Sequence, residues 1–251
     1  MDQYIFITGA SSGFGEASAE LFASKGYPLI LMARREERLA ELKEKLSSQV
    51  EVITLTCDVR NEESVNNTIG ALDSGVLAKI GLLVNNAGLA VGKGPIDEGI
   101  TDDWERMIDT NLKGLLYVTK AIVPFFKANR KGHIINIASI AGKEVYPGGN
   151  VYCATKHAVD ALSRAMRIDL VSHGIKVSNL APGAAETEFS IVRFKGDMET
   201  ANRVYDGYSP LVASDIADTI WFLFSRPAHV NINDITIMAS AQASATIFAK
   251  E

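Results

Sequence analysis

The sequence predicts an α/β fold in which a doubly wound parallel sheet of about seven strands carries helices on both faces. Three observations predict it. Short apolar runs alternate with longer amphipathic stretches along the whole chain. The runs are nearly continuously apolar, as strands covered on both faces must be. A glycine-rich turn joins the first run to the first amphipathic stretch.

The elements follow in order. Tyr4 to Thr8 is the first strand, and Gly15 to Lys25 the first helix, with Ala19, Leu21, Phe22 and Ala23 as its apolar positions. Pro28 to Met32 is the second strand. Glu36 to Leu46 is helical, since Leu39, Leu42 and Leu46 recur at spacings of three and four. Val50 to Leu55 gives a third strand, Glu62 to Leu72 a helix and Ile80 to Val84 a fourth strand. One long helix is expected over Trp104 to Phe126, a fifth strand over His133 to Ile137 and a second long helix over Val151 to Leu170. Lys176 to Leu180, Asp215 to Phe224 and Asp234 to Met238 complete the series as strand, helix and strand. Crossovers between parallel strands should be right-handed. The interval from Pro182 to Pro210 shows no clear period, and within it residues 184–210 read as a binding loop or lid.

Length and composition bound the class. The 251 residues divided by about 150 per domain give roughly 1.7. No linker, repeat or charge block divides them, so one domain over residues 1–251 is expected. At 47% hydrophobic and 22% charged residues, disorder and coiled coil are excluded. A net charge of −5 offers no broad cationic surface for nucleic acid or anionic lipid. Two cysteines, Cys57 and Cys153, cannot build a disulfide framework and read as core thiols. Met1-Asp2-Gln3 has no basic leader, and no apolar stretch of about 18 residues occurs, so a cytoplasmic protein is expected. His133, His157, His173 and His229 lack metal-ligand spacing, and no metal is expected.

The turn reads Thr8-Gly9-Ala10-Ser11-Ser12-Gly13-Phe14-Gly15. Gly9 permits a tight turn, Gly13 lets backbone approach a pyrophosphate, and Gly15 lets helix and strand pack closely. The following helix N-terminus favours negative phosphates. In this strand–turn–helix context the turn reads as a phosphate-binding turn for a dinucleotide, the alternative being a glycine turn with no ligand, although its spacing is not the fingerprint with two residues between the last glycines.

The spacing T-G-x-x-x-G-x-G resembles the short-chain dehydrogenase/reductase family, and further motifs match in order. Asn85-Asn86-Ala87-Gly88 follows the fourth strand, Asn111 lies in the next helix, and Ser139 ends the fifth strand. Tyr152 and Lys156 form the Tyr-x-x-x-Lys pair, Pro182-Gly183 follows the sixth strand, and Thr187 comes after it. The resemblance implies cofactor contacts from Thr8, Gly9, Ser11, Ser12, Gly13, Phe14, Gly15, Asp58, Val59, Asn85, Ala87, Gly88, Pro182, Gly183 and Thr187, besides Tyr152 and Lys156. It implies that Lys156 holds the nicotinamide ribose, that Asn111 orders a water in a proton relay, and that the chain forms a homo-oligomer, a dimer or a tetramer, through its two long helices. Ala185 departs from the bulkier aliphatic residue usual beside the nicotinamide.

The chemistry of these residue types agrees. Tyr152 and Lys156 lie one helical turn apart and face the same way. A nearby ammonium should draw the phenol down from its usual value near 10, towards the range of a working acid–base group. Ser139 can donate to a carbonyl oxygen as negative charge develops on it. At the end of the second strand no acid waits for a ribose 2′-hydroxyl. Arg34 and Arg35 stand there instead, and their planar forks suit a 2′-phosphate, so NADP(H) is the expected cofactor. The alternative for these arginines is surface pairing with Glu36 or Glu37.

For substrate, Arg193 is the candidate clamp for an acid group, with Tyr146 as a second contact. The segments around Thr187-Glu188-Phe189, Val192 to Asp197 and Pro227 to Asn233 resemble the bacterial NADP-dependent 3-hydroxy acid dehydrogenases, which act on serine and allo-threonine. The run from Ala181 to Phe189 also resembles sulfoacetaldehyde reductases, which form isethionate. Both imply a short anionic hydroxy acid or its aldehyde. A carrier-protein-linked 3-ketoacyl reductase would need a basic docking patch, and a non-catalytic NADP-binding protein would not need Ser139, Tyr152 and Lys156 together.

Overall fold

In the computed structural model, described over residues 2–250, seven strands form one fully parallel sheet: β1 (Tyr4–Thr8), β2 (Leu29–Ala33), β3 (Val52–Thr56), β4 (Ile80–Asn85), β5 (Gly132–Ile137), β6 (Ile175–Pro182) and β7 (Asp234–Ile237). Their order is β3-β2-β1-β4-β5-β6-β7. The order reverses between β1 and β4, and the crevice beyond the strand C-termini at such a switch point is where α/β sheets bind ligands. In the central strands successive residues alternate between two cores. Phe6, Ile30 and Ile134 pack on one face. Ile5, Ile7, Leu29 and Ile135 pack on the other.

The helices are α1 (Gly13–Ser24), α2 (Glu36–Leu46), α3 (Glu62–Gly70), α4 (Ser74–Ala78), α5 (Thr101–Ile108), α6 (Leu115–Asn129), α7 (Asn150–Leu170), α8 (Glu188–Arg193), α9 (Met198–Arg203) and α10 (Ala213–Phe224). Helix α4 was not expected. Asp73 caps it, accepting from the backbone of Gly75 and Val76, which satisfies N–H groups that a helix start leaves orphaned.

Two differences bear on function. The long helix expected over Trp104–Phe126 is interrupted by a π-helical segment, Asp109–Gly114. The extra residue of a π turn bulges the chain, and such bulges recur at functional sites. The interval 184–210 holds two short helices, each with its own side-chain cap. Thr187 accepts from Phe189 N, and Asp197 accepts from Thr200 N. Six residues are too few to display an amphipathic period. Among the described residues no helix is long and apolar enough to cross a membrane.

Of the six apolar residues on the two long helices expected to form a seam between copies, Ala121, Ile122, Phe125, Ala158, Ala161 and Leu162, four pack inward while Ala161 is exposed. Ile122 is fully buried, and Ala121, Phe125 and Leu162 lie against the chain's own core.

Candidate active site

A cleft of about 790 Å³ opens along the C-terminal ends of the strands. The glycine turn forms one wall. Gly9 and Gly13 adopt positive φ, +65° and +54°, where a side chain would strain the backbone. A Cβ on Gly15 would stand 2.3 Å from Gly9 O, so α1 starts in van der Waals contact with the turn. Ser11, Ser12, Gly13 and Phe14 line the cleft, as do Arg34, Arg35, Asp58, Val59, Ala87 and Gly88.

Three of the residues expected to contact the cofactor, Thr8, Gly15 and Asn85, do not line the cleft. Thr8 is buried beneath the turn, where its hydroxyl accepts from the backbone of Asn86 (3.0 Å) and Ala87 (2.9 Å). Gly15 acts through packing and does not line the cleft. Asn85 also turns away: its amide donates to Thr119 and Asn136, each at 2.9 Å, inside the core. The next residue, Asn86, lines the cleft instead and fastens the turn through Thr8 O and Gly9 O. Successive residues leaving a strand face opposite ways, so the motif's two asparagines divide the work. Asp58 reaches the cleft, but both of its oxygens accept from Arg60, which holds its carboxyl below the ordinary value against the opposing effect of burial.

Arg34 and Arg35 diverge. Arg34 lines the cleft, exposed. Arg35 does not pair with Glu36 or Glu37. Its guanidinium reaches Ser11 and Ser12 of the turn and, from the other side, Glu188 of α8.

Ser139, Tyr152 and Lys156 meet at the cleft floor, on the loop after β5 and on α7. Lys156 Nζ donates to Ile137 O at 2.8 Å, and burial pulls its ammonium down to about 8. The Tyr152 phenol is buried, and that burial pushes it above its ordinary value, reinforced by Tyr146; hydrogen bonding to Ser139 and the charge of Arg193 only oppose this. The expected downward pull from Lys156 is therefore not the dominant influence on the phenol. Lys156 Nζ stands 5.9 Å from the Tyr152 ring centroid.

Asn111 sits on the π segment behind the cleft, buried. Its amide accepts from Leu89 N and donates to Leu89 O, both at 2.8 Å, and donates to Thr155 at 3.1 Å. A Cβ on Gly88 would be 3.3 Å from Asn111 Oδ1 and 3.4 Å from Lys156 Nζ, so the two groups flank one glycine.

The substrate side is built by the lid. Pro182, Gly183 and Thr187 line the cleft, with Ala184, Ala185 and Phe189. The Arg193 guanidinium carbon lies 5.3 Å from the Tyr146 ring and 5.7 Å from the Tyr152 ring. Its buried Nε has no hydrogen-bond partner among the described residues. Sequence reasoning missed Gln242, whose carboxamide oxygen accepts from Ala184 N at 2.8 Å, and the tail residues Ala245, Thr246, Phe248 and Lys250 that close the cleft. A lone glutamine among small residues carries no local signal.

A dinucleotide cleft at a switch point, with Ser, Tyr and Lys converging at its floor, defines a Rossmann-type dehydrogenase. The short chain dehydrogenase family matches residues 3–197, and this chain belongs to it. The chain is 44% identical to sulfoacetaldehyde reductase 2 of Chromohalobacter salexigens over 244 residues, 97% of this chain and 96% of that one. It is 43% identical to an NADP-dependent 3-hydroxy acid dehydrogenase of Salmonella typhi over 242 residues, 96% of each. The closed form of a serine dehydrogenase complexed with NADP+ superposes with a TM-score of 0.93 at 41% identity, covering 99% of this chain and 100% of that one.

Proposed function

We propose that this protein is an NADP(H)-dependent oxidoreductase interconverting a short anionic hydroxy acid and its aldehyde or ketone. The observation that carries the substrate class is Arg193: a cationic fork held over Tyr146 and Tyr152, with a buried N–H unpartnered. A buried donor without a partner is costly, and a carboxylate or sulfonate would satisfy it. The two relatives and the serine dehydrogenase named above have substrates of this class.

The residues fit the cofactor. The glycine turn leaves backbone open to a pyrophosphate, and Arg34 and Arg35 supply the cations for a 2′-phosphate. Lys156 and Asp58, with Val59, Ala87, Gly88, Pro182, Gly183 and Thr187, would line the remainder. When bound, NADPH supplies the hydride. Ser139 donates to the substrate carbonyl oxygen and stabilises the charge that grows there. Tyr152, a phenol held protonated by its burial, delivers the proton to that oxygen. In the oxidative direction the phenol first gives up its proton, and the resulting phenolate takes the proton of the substrate hydroxyl. Lys156 holds positive charge beside it, and Asn111 holds Leu89 and Thr155, keeping the floor of the site in place.

The substrate acid is a carboxylate in the 3-hydroxy acid reading and a sulfonate in the sulfoacetaldehyde reading; Arg193 serves both. We further read residues 1–251 as one domain, working in the cytoplasm as a homo-oligomer. The test is a panel of short oxo acids, sulfoacetaldehyde and uncharged aldehydes with NADPH and NADH. Arg193→Ala should raise KM for the anionic substrates about 10- to 100-fold, the 1–3 kcal/mol of a charged hydrogen bond, and leave neutral aldehydes unchanged. An equal effect on both classes would reject the clamp.

A further inference from the structure

Helix α8 places an acid, Glu188, beside the arginines at the cofactor end of the cleft. Glu188 accepts from Arg35 Nη1 at 3.0 Å and from Arg38 Nη1 at 2.6 Å. The two arginines lie 153 and 150 residues away in sequence. Arg35 is already committed on its other edge. Its Nε donates to Ser11 Oγ at 3.1 Å, and its Nη2 donates to Ser12 Oγ at 2.7 Å and to Ser11 O at 3.2 Å. One guanidinium therefore joins the phosphate turn to the lid.

The same helix ends on Arg193. Just beyond it the segment is tied down again. Gly92 N donates to Arg193 O at 3.0 Å, and Lys195 pairs with the buried Asp103 at 2.7 Å. Helix α8 is thus held at both ends, at Glu188 and at Arg193 with Lys195.

A 2′-phosphate brought to Arg34 and Arg35 would lie beside the Glu188 carboxylate. Two anions would then share Arg35, and the like charges repel. Arg38 sits one turn further along α2 and already holds the other carboxylate oxygen. Glu188 can release Arg35 to the phosphate without releasing the lid.

We propose that Glu188 is a positioning residue that senses the 2′-phosphate: it competes with that phosphate for Arg35 and keeps the lid anchored through Arg38. The inference rests on the NADP(H) reading above. It adds that the lid carrying the substrate clamp tempers affinity for the phosphorylated cofactor, which favours cofactor release after turnover.

The test uses binding by titration calorimetry with two probes, 2′,5′-ADP and ADP, which differ only in where the second phosphate sits. Glu188→Gln should bind 2′,5′-ADP about 3- to 10-fold more tightly, the gain shrinking at high salt, with ADP affinity unchanged. Arg38→Ala should move the other way, because Glu188 then depends on Arg35 alone. In the Glu188→Gln, Arg38→Ala double variant the effect of removing Arg38 should vanish. Equal changes for both probes, or weaker 2′,5′-ADP binding in Glu188→Gln, would overturn the competition. If the unaltered protein binds NADPH no more tightly than NADH, the NADP(H) reading itself falls, and this inference with it.

Discussion

Replacing Lys156 by methionine should make the protein more stable at neutral pH while abolishing its turnover. Lys156 is buried, its ammonium donates only to Ile137 O, and no carboxylate is among its partners. Burial lowers its pKa from 10.5 to about 8. At 1.36 kcal/mol per pH unit, that displacement corresponds to about 3 kcal/mol of cost for keeping the charge folded. The direction follows from proton counting. Below pH 8 the folded and unfolded chains both carry the proton, and the full cost is present. Between about 8 and 10.5 the unfolded chain binds more protons than the folded one, so stability rises with pH. Above 10.5 both are neutral and the cost is gone. Methionine removes the charge and nearly fills the same volume. It forfeits the bond to Ile137 O, about 1 kcal/mol, leaving a net gain of about 2 kcal/mol at pH 7. For a chain of this size that is about 4–8 °C in Tm. Thermal unfolding by circular dichroism, run at about pH 7 and about pH 10, reads both numbers. The gap between variant and parent should shrink at the higher pH. A variant that is less stable at pH 7, or a gap independent of pH, would refute the reasoning.

Two further substitutions test the site from other sides. Tyr152→Phe should lower kcat about 10²- to 10⁴-fold, the usual worth of a positioned proton donor, while NADPH binding measured by fluorescence stays within a few-fold; full turnover would remove Tyr152 from the chemistry. Gly15→Ala puts a methyl 2.3 Å from Gly9 O and 2.9 Å from Ala10 Cα; since backbone and not a flexible side chain must yield, it should cost about 1–3 kcal/mol in urea unfolding and weaken NADPH binding together with it.

The sheet was legible because its strands are apolar on both faces, a pattern that survives without knowledge of tertiary contacts. Ser139, Tyr152 and Lys156 stood out through motifs matching a family in order, and the fold brings all three to the cleft lining. What escaped has particular causes. Asn85 and Asn86 differ only in parity at a strand end, and one residue of register decides which faces the core. The apolar positions of Trp104–Phe126 continue smoothly through residues 109–114, so the π segment leaves no break in the pattern. The Arg35–Glu188 pair joins β2's end to a helix 153 residues later, and no local rule connects them; both residues had nearer, equally plausible partners in sequence.

The electrostatics of the site explain how a protein of net charge −5 can handle two anions. Its cations are concentrated where the cleft needs them: Arg34 and Arg35 at one end, Lys156 at the floor, Arg193 at the other, with Lys93 and Lys250 along the wall. Exposed acids elsewhere set the overall sign without reaching the cleft. Within the cleft the two acids that do approach are both neutralised, Asp58 by Arg60 and Glu188 by Arg35 and Arg38. At the floor and the substrate end, Lys156 and Arg193 have no acidic partner within ion-pair distance among the described residues. An unpaired, partly desolvated charge acts more strongly on a ligand than one in water, and these are the two positions that a negatively charged substrate and a developing alkoxide would use.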